Sequence, residues 1–199
     1  MNEALTPSDS EYWDELYLKG EDGWELGAPV PPLARYFADK RLDNQRALVV
    51  GCGRGHEARL LATIGAEVIG LDLSQRAIEA AQELTSPGTS VRFVRGDLFA
   101  LRGEPSEYHL VLEHTCYCAI DPERRDEYVD AIADALLPDG LLVGLFYAHG
   151  RPGGPPFTTD DADLDQRFAR HFSLIHQEIP HDSIERRVGL ERLRVFRRR

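Results

Sequence analysis

The chain has 199 residues, of which 42% are hydrophobic and 29% charged, a composition typical of one globular domain with a sizeable core. Its formal net charge of −11 argues against a general nucleic-acid binder, whose binding surface would be basic, and its three cysteines, without a CxxC spacing, predict neither a disulfide framework nor a structural metal site. The sequence contains no run of about 18 apolar residues that could cross a membrane. The polar, acidic start of the chain also lacks the pattern of a signal peptide. We therefore expect a cytoplasmic protein, and its size is compatible with a monomer.

The first 44 residues predict a helical cap that belongs to a single domain spanning residues 1–199. The first predicted helix of this cap carries aromatic and apolar residues at helical spacing, at Tyr12, Trp13, Leu16 and Tyr17. A link rich in glycine and proline follows, and a second helix is predicted over residues 33–42. Because the segment is too short to bury a core of its own, we expect it to fold onto the core formed by residues 45–199.

From residue 45 onward, predicted strands and helices alternate, which indicates an α/β fold with a parallel sheet and helices on both faces. The predicted strands cover residues 46–51, 67–72, 91–95, 109–113, 141–147, 173–179 and 188–196. The predicted helices cover residues 57–64, 74–84, 122–137 and 161–171, with a PDG turn at 138–140. The last two strands are too close in sequence for a helical crossover and should form an antiparallel hairpin. We therefore expect a seven-stranded, mostly parallel sheet with one antiparallel strand.

A glycine-rich turn, VVGCGRG, follows the first predicted strand and leads into a helix. Gly51, Gly53 and Gly55 leave bare backbone beside the helix N-terminus, where a ligand can approach closely. Asp72 ends the second predicted strand, at a position from which an acid accepts hydrogen bonds from a ribose. The two features together predict a cofactor that contains a nucleoside.

The motif GDLF after the third predicted strand supports the same prediction. It places Asp97 to meet an adenine amino group, with Leu98 and Phe99 against the ring, and ligands of such sheets bind where the carboxyl ends of strands converge. The dinucleotide fingerprint GxGxxG is not matched, because Gly55 falls one residue early and His56 stands where the third glycine belongs. The spacing disfavours NAD and FAD, and a nucleotide-dependent oxidoreductase stays as an alternative.

In the order of VVGCGRG, IGLDLS and GDLF, and in its seven-strand pattern, the chain resembles class I S-adenosylmethionine-dependent methyltransferases. Three segments, EYWDELYLKGEDGWELGAPVP, EHTCYCAIDPERR and GGPPF, are similar to the group of thiopurine S-methyltransferases and plant halide/thiol methyltransferases. The likeness covers nearly the whole chain, from Tyr12 to about Phe196. It implies a Rossmann-like fold, S-adenosyl-L-methionine as cofactor, and a small-molecule substrate with no nucleic-acid or membrane partner.

The resemblance also implies contacts for particular residues. Gly51 and Gly53 would pass the methionyl end of the cofactor, and Asp72 and Leu73 its ribose and adenine. The other cofactor-binding residues expected are Trp13, Tyr17, Trp24, Asp97, Leu98, Phe99 and Glu113, the last of these orienting the amino group. His114 would lie at the end of the fourth strand beside the methyl group, where the thiopurine enzymes have arginine and the plant halide enzymes tyrosine.

The expected activity is methyl transfer to a small soft nucleophile, with a thiol preferred because a thiol needs only modest help to ionise. His114 is the predicted catalytic residue, which would accept the thiol proton or, when charged, hold the thiolate. Halide, oxygen, nitrogen and metalloid acceptors remain alternatives. From a different class, a non-catalytic binding protein that keeps the fold also remains open.

Overall fold

The computed structural model describes residues 5–199, so the first four residues of the predicted cap lie outside the described range. The described part of the chain forms six helices and seven strands. The strands are β1 Arg46–Val50, β2 Glu67–Asp72, β3 Val91–Arg95, β4 Tyr108–His114, β5 Leu136–Tyr147, β6 Phe172–Glu178 and β7 Glu191–Arg198. The helices are α1 Ser10–Lys19, α2 Pro31–Phe37, α3 His56–Thr63, α4 Gln75–Glu83, α5 Arg125–Ala135 and α6 Asp161–Phe168.

The seven strands form one sheet in the order β3-β2-β1-β4-β5-β7-β6. The strands β1 to β5 pair in parallel, and β7 pairs antiparallel with both β5 and β6. The predicted mostly parallel sheet with one antiparallel strand is confirmed. Because β7 is reversed, its first residue Glu191 pairs with Tyr147 at the end of β5. The segment before β7 therefore lies at the same edge of the sheet as the carboxyl ends of the parallel strands.

Each face of the sheet is covered by helices, as the alternation of side chains along a strand requires. On β1, Ala47 and Val49 contribute to an apolar cluster that includes buried residues of α2, α3 and α4. Leu48 and Val50 contribute to a second cluster that includes buried residues of α5 and α6. This two-faced burial leaves the carboxyl edge of the sheet as the place where polar groups from different strands can meet.

Two predicted boundaries between β4 and β5 are wrong. The helix predicted over residues 122–137 begins as a 3-10 turn, Pro122–Arg124, and ends at Ala135. The predicted PDG turn lies inside β5, where Asp139 adopts the left-handed φ of 62°. The pairing of β5 with β4 shifts register at this kink, so the strand continues through the residues that the sequence pattern assigns to a turn.

Helix α1 docks on the start of α4 through one carboxylate. The Ser74 hydroxyl donates to Asp14 at 2.5 Å, and the backbone N–H of Arg76 donates to the same oxygen at 3.1 Å. The contact suits the positive end of a helix dipole. It holds α1 over the carboxyl edge of the sheet. None of the helices within residues 5–199 combines the length and apolar character needed to span a membrane.

Candidate active site

A cavity of about 600 Å³ opens at the carboxyl edge of the sheet, a volume within the roughly 300–1,000 Å³ of small-molecule sites. Helix α1 and the segment that follows it line one side, and the ends of β1 to β5 line the floor. Of the predicted cofactor-binding residues, all but Gly53 and Glu113 line the cavity: Trp13, Tyr17, Trp24, Gly51, Asp72, Leu73, Asp97, Leu98 and Phe99.

The glycine turn presents bare backbone for two different reasons. Gly51 has a φ of +57°, and a Cβ atom there would lie 2.9 Å from the Cβ and Sγ atoms of Cys116, against the cavity wall. Gly55 has a φ of +75°, and its Cβ would lie 2.5 Å from the ring of Phe93 in the core. Gly51 therefore allows Cys116 to pack directly against the turn at the cavity wall. The early Gly55 is explained instead by the packing of Phe93 beneath the turn.

Asp72 connects the turn to the end of β2. Its carboxylate accepts a hydrogen bond from the backbone N–H of Gly53 at 2.8 Å and another from Ser74 at 2.9 Å. Burial raises the pKa of this carboxyl above its ordinary value, against the effect of the two amide donors. An ionised carboxylate offers about four acceptor positions, so two remain for hydroxyl groups of a ligand in the cavity.

The far end of the cavity carries an aromatic ring beneath a guanidinium. Asp97 accepts a hydrogen bond from the backbone N–H of Phe99 at 2.9 Å and so begins the 3-10 turn Leu98–Leu101. The guanidinium of Arg124 lies 3.7 Å from the centre of the Phe99 ring. Arg124 lines the same cavity. The sequence reasoning did not identify it, because it assigned residue 124 to the start of a helix and gave its side chain no contact.

Three aromatic side chains cover the cavity from the cap. The ring of Trp24 packs edge-on against Trp13 and Tyr17, each at a centroid distance of 5.7 Å. The indole of Trp24 donates to the Tyr17 hydroxyl at 3.3 Å, and burial raises the pKa of that phenol. A partly buried cluster of three aromatic rings attracts a cation through the faces of the rings.

His114 lies beside the cavity and not among its lining residues. It faces a small recess shared with Gly51, Gly53 and Glu57. The Nη1 of Arg187 lies 3.1 Å from the Nε2 of His114, and the Nδ1 of His114 lies 3.5 Å from a carboxylate oxygen of Glu57. Arginine nitrogens are all donors, so the Nε2 accepts this hydrogen bond, and the ring proton of neutral His114 is then on Nδ1, toward Glu57.

Glu57 completes this chain of polar groups. Burial favours its neutral acid, but hydrogen bonds from His114 and from the backbone N–H of Val30 hold the pKa of Glu57 below its ordinary value. Ionised Glu57, His114 and Arg187 thus form one connected row from α3 across the end of β4. Arg187 is the member that reaches the cavity.

Glu113 points to the opposite face of the sheet. Along β4, Leu112 contributes to the cluster beneath α3, while Val111 contributes to the cluster beneath α5, so Glu113 shares the face of Val111. Its carboxylate is fully buried, accepts from the backbone N–H of Tyr117 at 2.8 Å, and does not line the cavity. Burial raises the pKa of Glu113 to about 7.

Three arginines complete the cavity on the β5–β7 side, and the sequence reasoning missed them. Arg187 is buried, donates to Glu191 at 3.2 Å, and lies with its guanidinium 5.1 Å from the Tyr147 ring centre. Arg186 and Arg151 are exposed and line the same side. The predicted hairpin could have placed Arg186 and Arg187 at the carboxyl edge, because a reversed last strand begins there, but it gives no indication of which groups their side chains contact.

The cysteines and acids of the described residues do not build a metal centre. Within residues 5–199, no group of three or more histidine, cysteine, aspartate or glutamate side chains is arranged to hold a metal ion. Cys116 and Cys118 line the cavity as free thiols, and burial raises the pKa of both. They behave as small buried groups and not as ready nucleophiles.

The chain matches the thiopurine S-methyltransferase family over residues 8–197. It is 32% identical over 188 residues to thiocyanate methyltransferase 1 of Arabidopsis thaliana, a match that covers 91% of this chain and 82% of that protein. It is also 28% identical over 202 residues to the probable thiol methyltransferase 2 of Arabidopsis thaliana, covering 97% of this chain and 87% of that protein.

Solved structures share the fold. The 1,6-didemethyltoxoflavin-N1-methyltransferase of Burkholderia thailandensis, solved with S-adenosylhomocysteine bound, superposes with a TM-score of 0.74 at 22% identity, covering 95% of this chain and 86% of that one. The magnesium protoporphyrin IX methyltransferase of Synechocystis, solved with S-adenosylmethionine, gives a TM-score of 0.74 at 19% identity over the whole of both chains. The family match sets aside the oxidoreductase alternative: the chain belongs to the thiopurine S-methyltransferase family and is an S-adenosyl-L-methionine-dependent S-methyltransferase.

Proposed function

We propose that this enzyme methylates the sulfur of a small thiol, which reacts as a thiolate beside Arg187. The observation that carries the proposal is the buried guanidinium of Arg187 at the wall of the cavity. A free thiol has a pKa near 8.5, and its thiolate is the reactive form. A guanidinium stays charged at every working pH, so it lowers the cost of ionising an acceptor thiol nearby without having to take up its proton.

The cofactor fits the residues that line the cavity. S-adenosyl-L-methionine, when bound, supplies a methyl group on a positively charged sulfur that is open to in-line displacement. We propose that Asp72 and Leu73 hold the ribose and adenine, and that Asp97, Leu98 and Phe99 border the adenine ring. The bare backbone at Gly51 and Gly53 suits the methionyl end. The aromatic rings of the cap would stabilise the positive charge on the sulfur and exclude water from the cavity. These rings are those of Trp13, Tyr17 and Trp24.

The proposed reaction needs alignment more than acid–base chemistry. The thiol would release its proton to solvent, and its thiolate would attack the methyl group that bound S-adenosyl-L-methionine supplies. The cofactor would leave as a neutral thioether that keeps the electron pair of its broken carbon–sulfur bond. Positioning of two reactants in this way can lower a barrier by about 7–11 kcal/mol, which is the contribution expected from the cavity walls.

We propose that His114 acts as a positioning residue for Arg187. Its Nε2 already accepts a hydrogen bond from the guanidinium at 3.1 Å, so that lone pair is not free to collect a thiol proton. The opposite nitrogen faces Glu57, which favours the tautomer that the pairing needs. His114 would thus fix the direction of the charge that touches the acceptor.

Glu113 contributes to the site indirectly in this proposal. Its carboxylate is bonded to the backbone of Tyr117, and the same turn carries Cys116 and Cys118 into the cavity wall. We propose that Glu113 shapes this turn, so that the contact with the cofactor amino group comes from backbone atoms near the end of β4.

A labelled methyl-transfer screen over thiols, thiopurines, halides and chalcogen oxyanions tests the proposed acceptor. We expect turnover of thiols, and an Arg187→Gln variant that loses at least tenfold in kcat/KM at pH 7 and less at pH 9, where thiols ionise unaided. Arg92→Gln, an exposed arginine on β3, is the matched control. Halide or oxyanion turnover above that of every thiol, or an unaffected Arg187→Gln, would overturn the proposal.

We also propose that the protein works as a cytoplasmic monomer. Its three cysteines are free and buried, a pattern suited to a reducing compartment. Its 199 residues are long enough to form one domain with a core of its own. Light scattering at assay concentrations should give the mass of one chain, and a stable dimer that is required for activity would contradict the proposal.

A further inference from the structure

Apart from Arg124, which lies over the Phe99 ring, the charge of the cavity lining changes sign along the carboxyl edge of the sheet. Asp97 follows β3 and Asp72 ends β2, so carboxylates line the β3–β2 side. Arg151 follows β5, and Arg186 and Arg187 precede β7, so guanidinium groups line the opposite side. The strand order separates these two sides by β1 and β4. The proposed cofactor residues lie on the acidic side, which leaves the basic side to the acceptor.

Two of the basic residues carry charge that no carboxylate within residues 5–199 neutralises. Arg187 pairs with Glu191 at 3.2 Å. By contrast, no ion pair to an acid of residues 5–199 is formed by Arg151 or by Arg186. Arg186 donates to the backbone carbonyl of Gly23, and Arg151 approaches the ring of His149 at 3.4 Å. Each retains further N–H donors that can serve a ligand.

This absence of partners is informative in a chain with 34 acidic and 23 basic side chains. Carboxylates are abundant, and the nearby lining acids are Glu21 on the cap side and Asp121 beside Arg124. Neither is within ion-pair distance of Arg151 or Arg186 in the described structure. Arg151 and Arg186 are exposed at the mouth, whereas Arg187 is buried deeper. Guanidinium groups therefore lie at two depths on one side of the same cavity, and those at the mouth are the ones without a carboxylate partner in the described structure.

Resting on the thiol acceptor proposed above, we propose that the acceptor carries a second anionic group, such as a carboxylate, apart from its thiol. Arg151 and Arg186 would hold this group at the mouth of the cavity, while the thiol reaches inward to Arg187. Guanidinium groups recognise carboxylates through paired, charge-assisted hydrogen bonds. The enzyme would thereby select mercaptocarboxylates over neutral thiols of the same size.

Paired acceptors test this selection directly. The kcat/KM values of 3-mercaptobenzoate and 4-mercaptobenzoate are compared with that of thiophenol, and that of 3-mercaptopropionate with that of ethanethiol. We expect the intact enzyme to favour the carboxylate member of at least one pair by tenfold or more at low ionic strength, and less in high salt. The double variant Arg151→Gln/Arg186→Gln should lose most of that ratio through a higher KM, and Arg92→Gln should keep it.

A binding measurement separates recognition from turnover. In the presence of S-adenosylhomocysteine, benzoate should compete with 4-mercaptobenzoate in the intact enzyme and compete more weakly in the double variant. Equal charged-to-neutral ratios in the intact enzyme and the double variant would overturn the inference. The inference would also be overturned if the double variant lost thiocyanate turnover but kept mercaptobenzoate turnover, because Arg151 and Arg186 would then bind an inorganic anion. Failure of every thiol, with S-adenosylhomocysteine still bound, would instead refute the thiol acceptor itself.

Discussion

Arg187 donates a hydrogen bond from Nη1 to the Nε2 of His114 over 3.1 Å, which joins the segment before β7 to the end of β4. Glu57 faces the other ring nitrogen at 3.5 Å. In this arrangement the histidine holds a guanidinium in place and has no free lone pair toward the cavity. The arrangement predicts kinetics that differ from those of a general base.

Replacing His114 should therefore slow the methylation of acceptors that are already thiolates as well as that of thiols. We expect His114→Ala to lower kcat at least tenfold, and His114→Gln to keep more activity because its amide oxygen can accept the hydrogen bond from Arg187. With 4-nitrothiophenol, which is already ionised at pH 7, both losses should shrink but persist in part, because Arg187 then serves only to orient the thiolate. The measurement is the steady-state rate with thiophenol and with 4-nitrothiophenol, at saturating S-adenosyl-L-methionine.

The control for these variants is His181→Ala, since His181 is exposed and lies before the segment that carries Arg187. A general base is dispensable for an ionised acceptor. Full recovery of the unmodified enzyme's rate by His114→Ala with 4-nitrothiophenol would leave His114 a role in ionising the acceptor alone and would contradict its role in positioning Arg187 against the thiolate.

Asp72 should determine the affinity for the cofactor. An Asp72→Asn variant keeps the size of the side chain but loses the charge and one of the carboxylate oxygens that accept from the backbone N–H groups of Gly53 and Ser74 and that are proposed to accept from the ribose. We expect S-adenosylhomocysteine to bind about 10–100-fold more weakly, or about 1.4–2.8 kcal/mol, by calorimetric titration. Asp97→Asn, at an exposed position, should lower the affinity for S-adenosylhomocysteine by a smaller factor. Equal losses of affinity in the two variants would argue against a special role of Asp72.

The features that sequence predicted best are those set by local geometry. A strand that turns on Gly51 into a helix and an acid at the end of the next strand occupy fixed places in a parallel sheet. Their convergence with Asp97 on one cavity follows from the strand order. Along β4, the period of two also implies opposite faces for Glu113 and His114, so the burial of Glu113 away from the cavity could have been predicted.

The acceptor side was not predictable in the same way. Arg187 and His114 are 73 residues apart in the chain, and their contact depends on the conformation of an irregular segment before β7. Arg151 lies in a loop rich in glycine and proline, which carries no periodic pattern. Side chains from loops meet through tertiary packing, and neither spacing nor hydropathy along the sequence records that packing.

Gly55 should be required for stability more than for binding. Alanine there would keep an unfavourable φ of +75° and bring its Cβ to 2.5 Å from the Phe93 ring. We expect Gly55→Ala to lower the free energy of unfolding by about 2–4 kcal/mol. Gly88→Ala is the matched control, because Gly88 has a φ of +85° but open space around it, and should cost only about 1 kcal/mol. Equal losses in urea denaturation would rule out a packing role for Gly55.

Glu113 should make the stability of the fold depend on pH. Burial raises the pKa of this carboxyl from its ordinary value of 4.5 to about 7, so the folded chain keeps a proton that the unfolded chain releases between those values. The stabilisation is fully present below pH 4.5 and is lost as the pH rises through 7. At about 1.4 kcal/mol per pH unit, the loss amounts to roughly 3 kcal/mol.

The Glu113→Gln variant isolates this contribution, because its amide oxygen can still accept from the backbone N–H of Tyr117 but cannot ionise. The difference in unfolding free energy between variant and unmodified protein should therefore shift by roughly 3 kcal/mol in favour of the variant between pH 5 and pH 8. Glu104→Gln, at an exposed position, should show no such shift. If the Glu113→Gln and unmodified curves stayed parallel across this range, Glu113 would have to be ionised in the fold throughout, and its missing hydrogen-bond partner at Oε1 would then need a buried donor such as water.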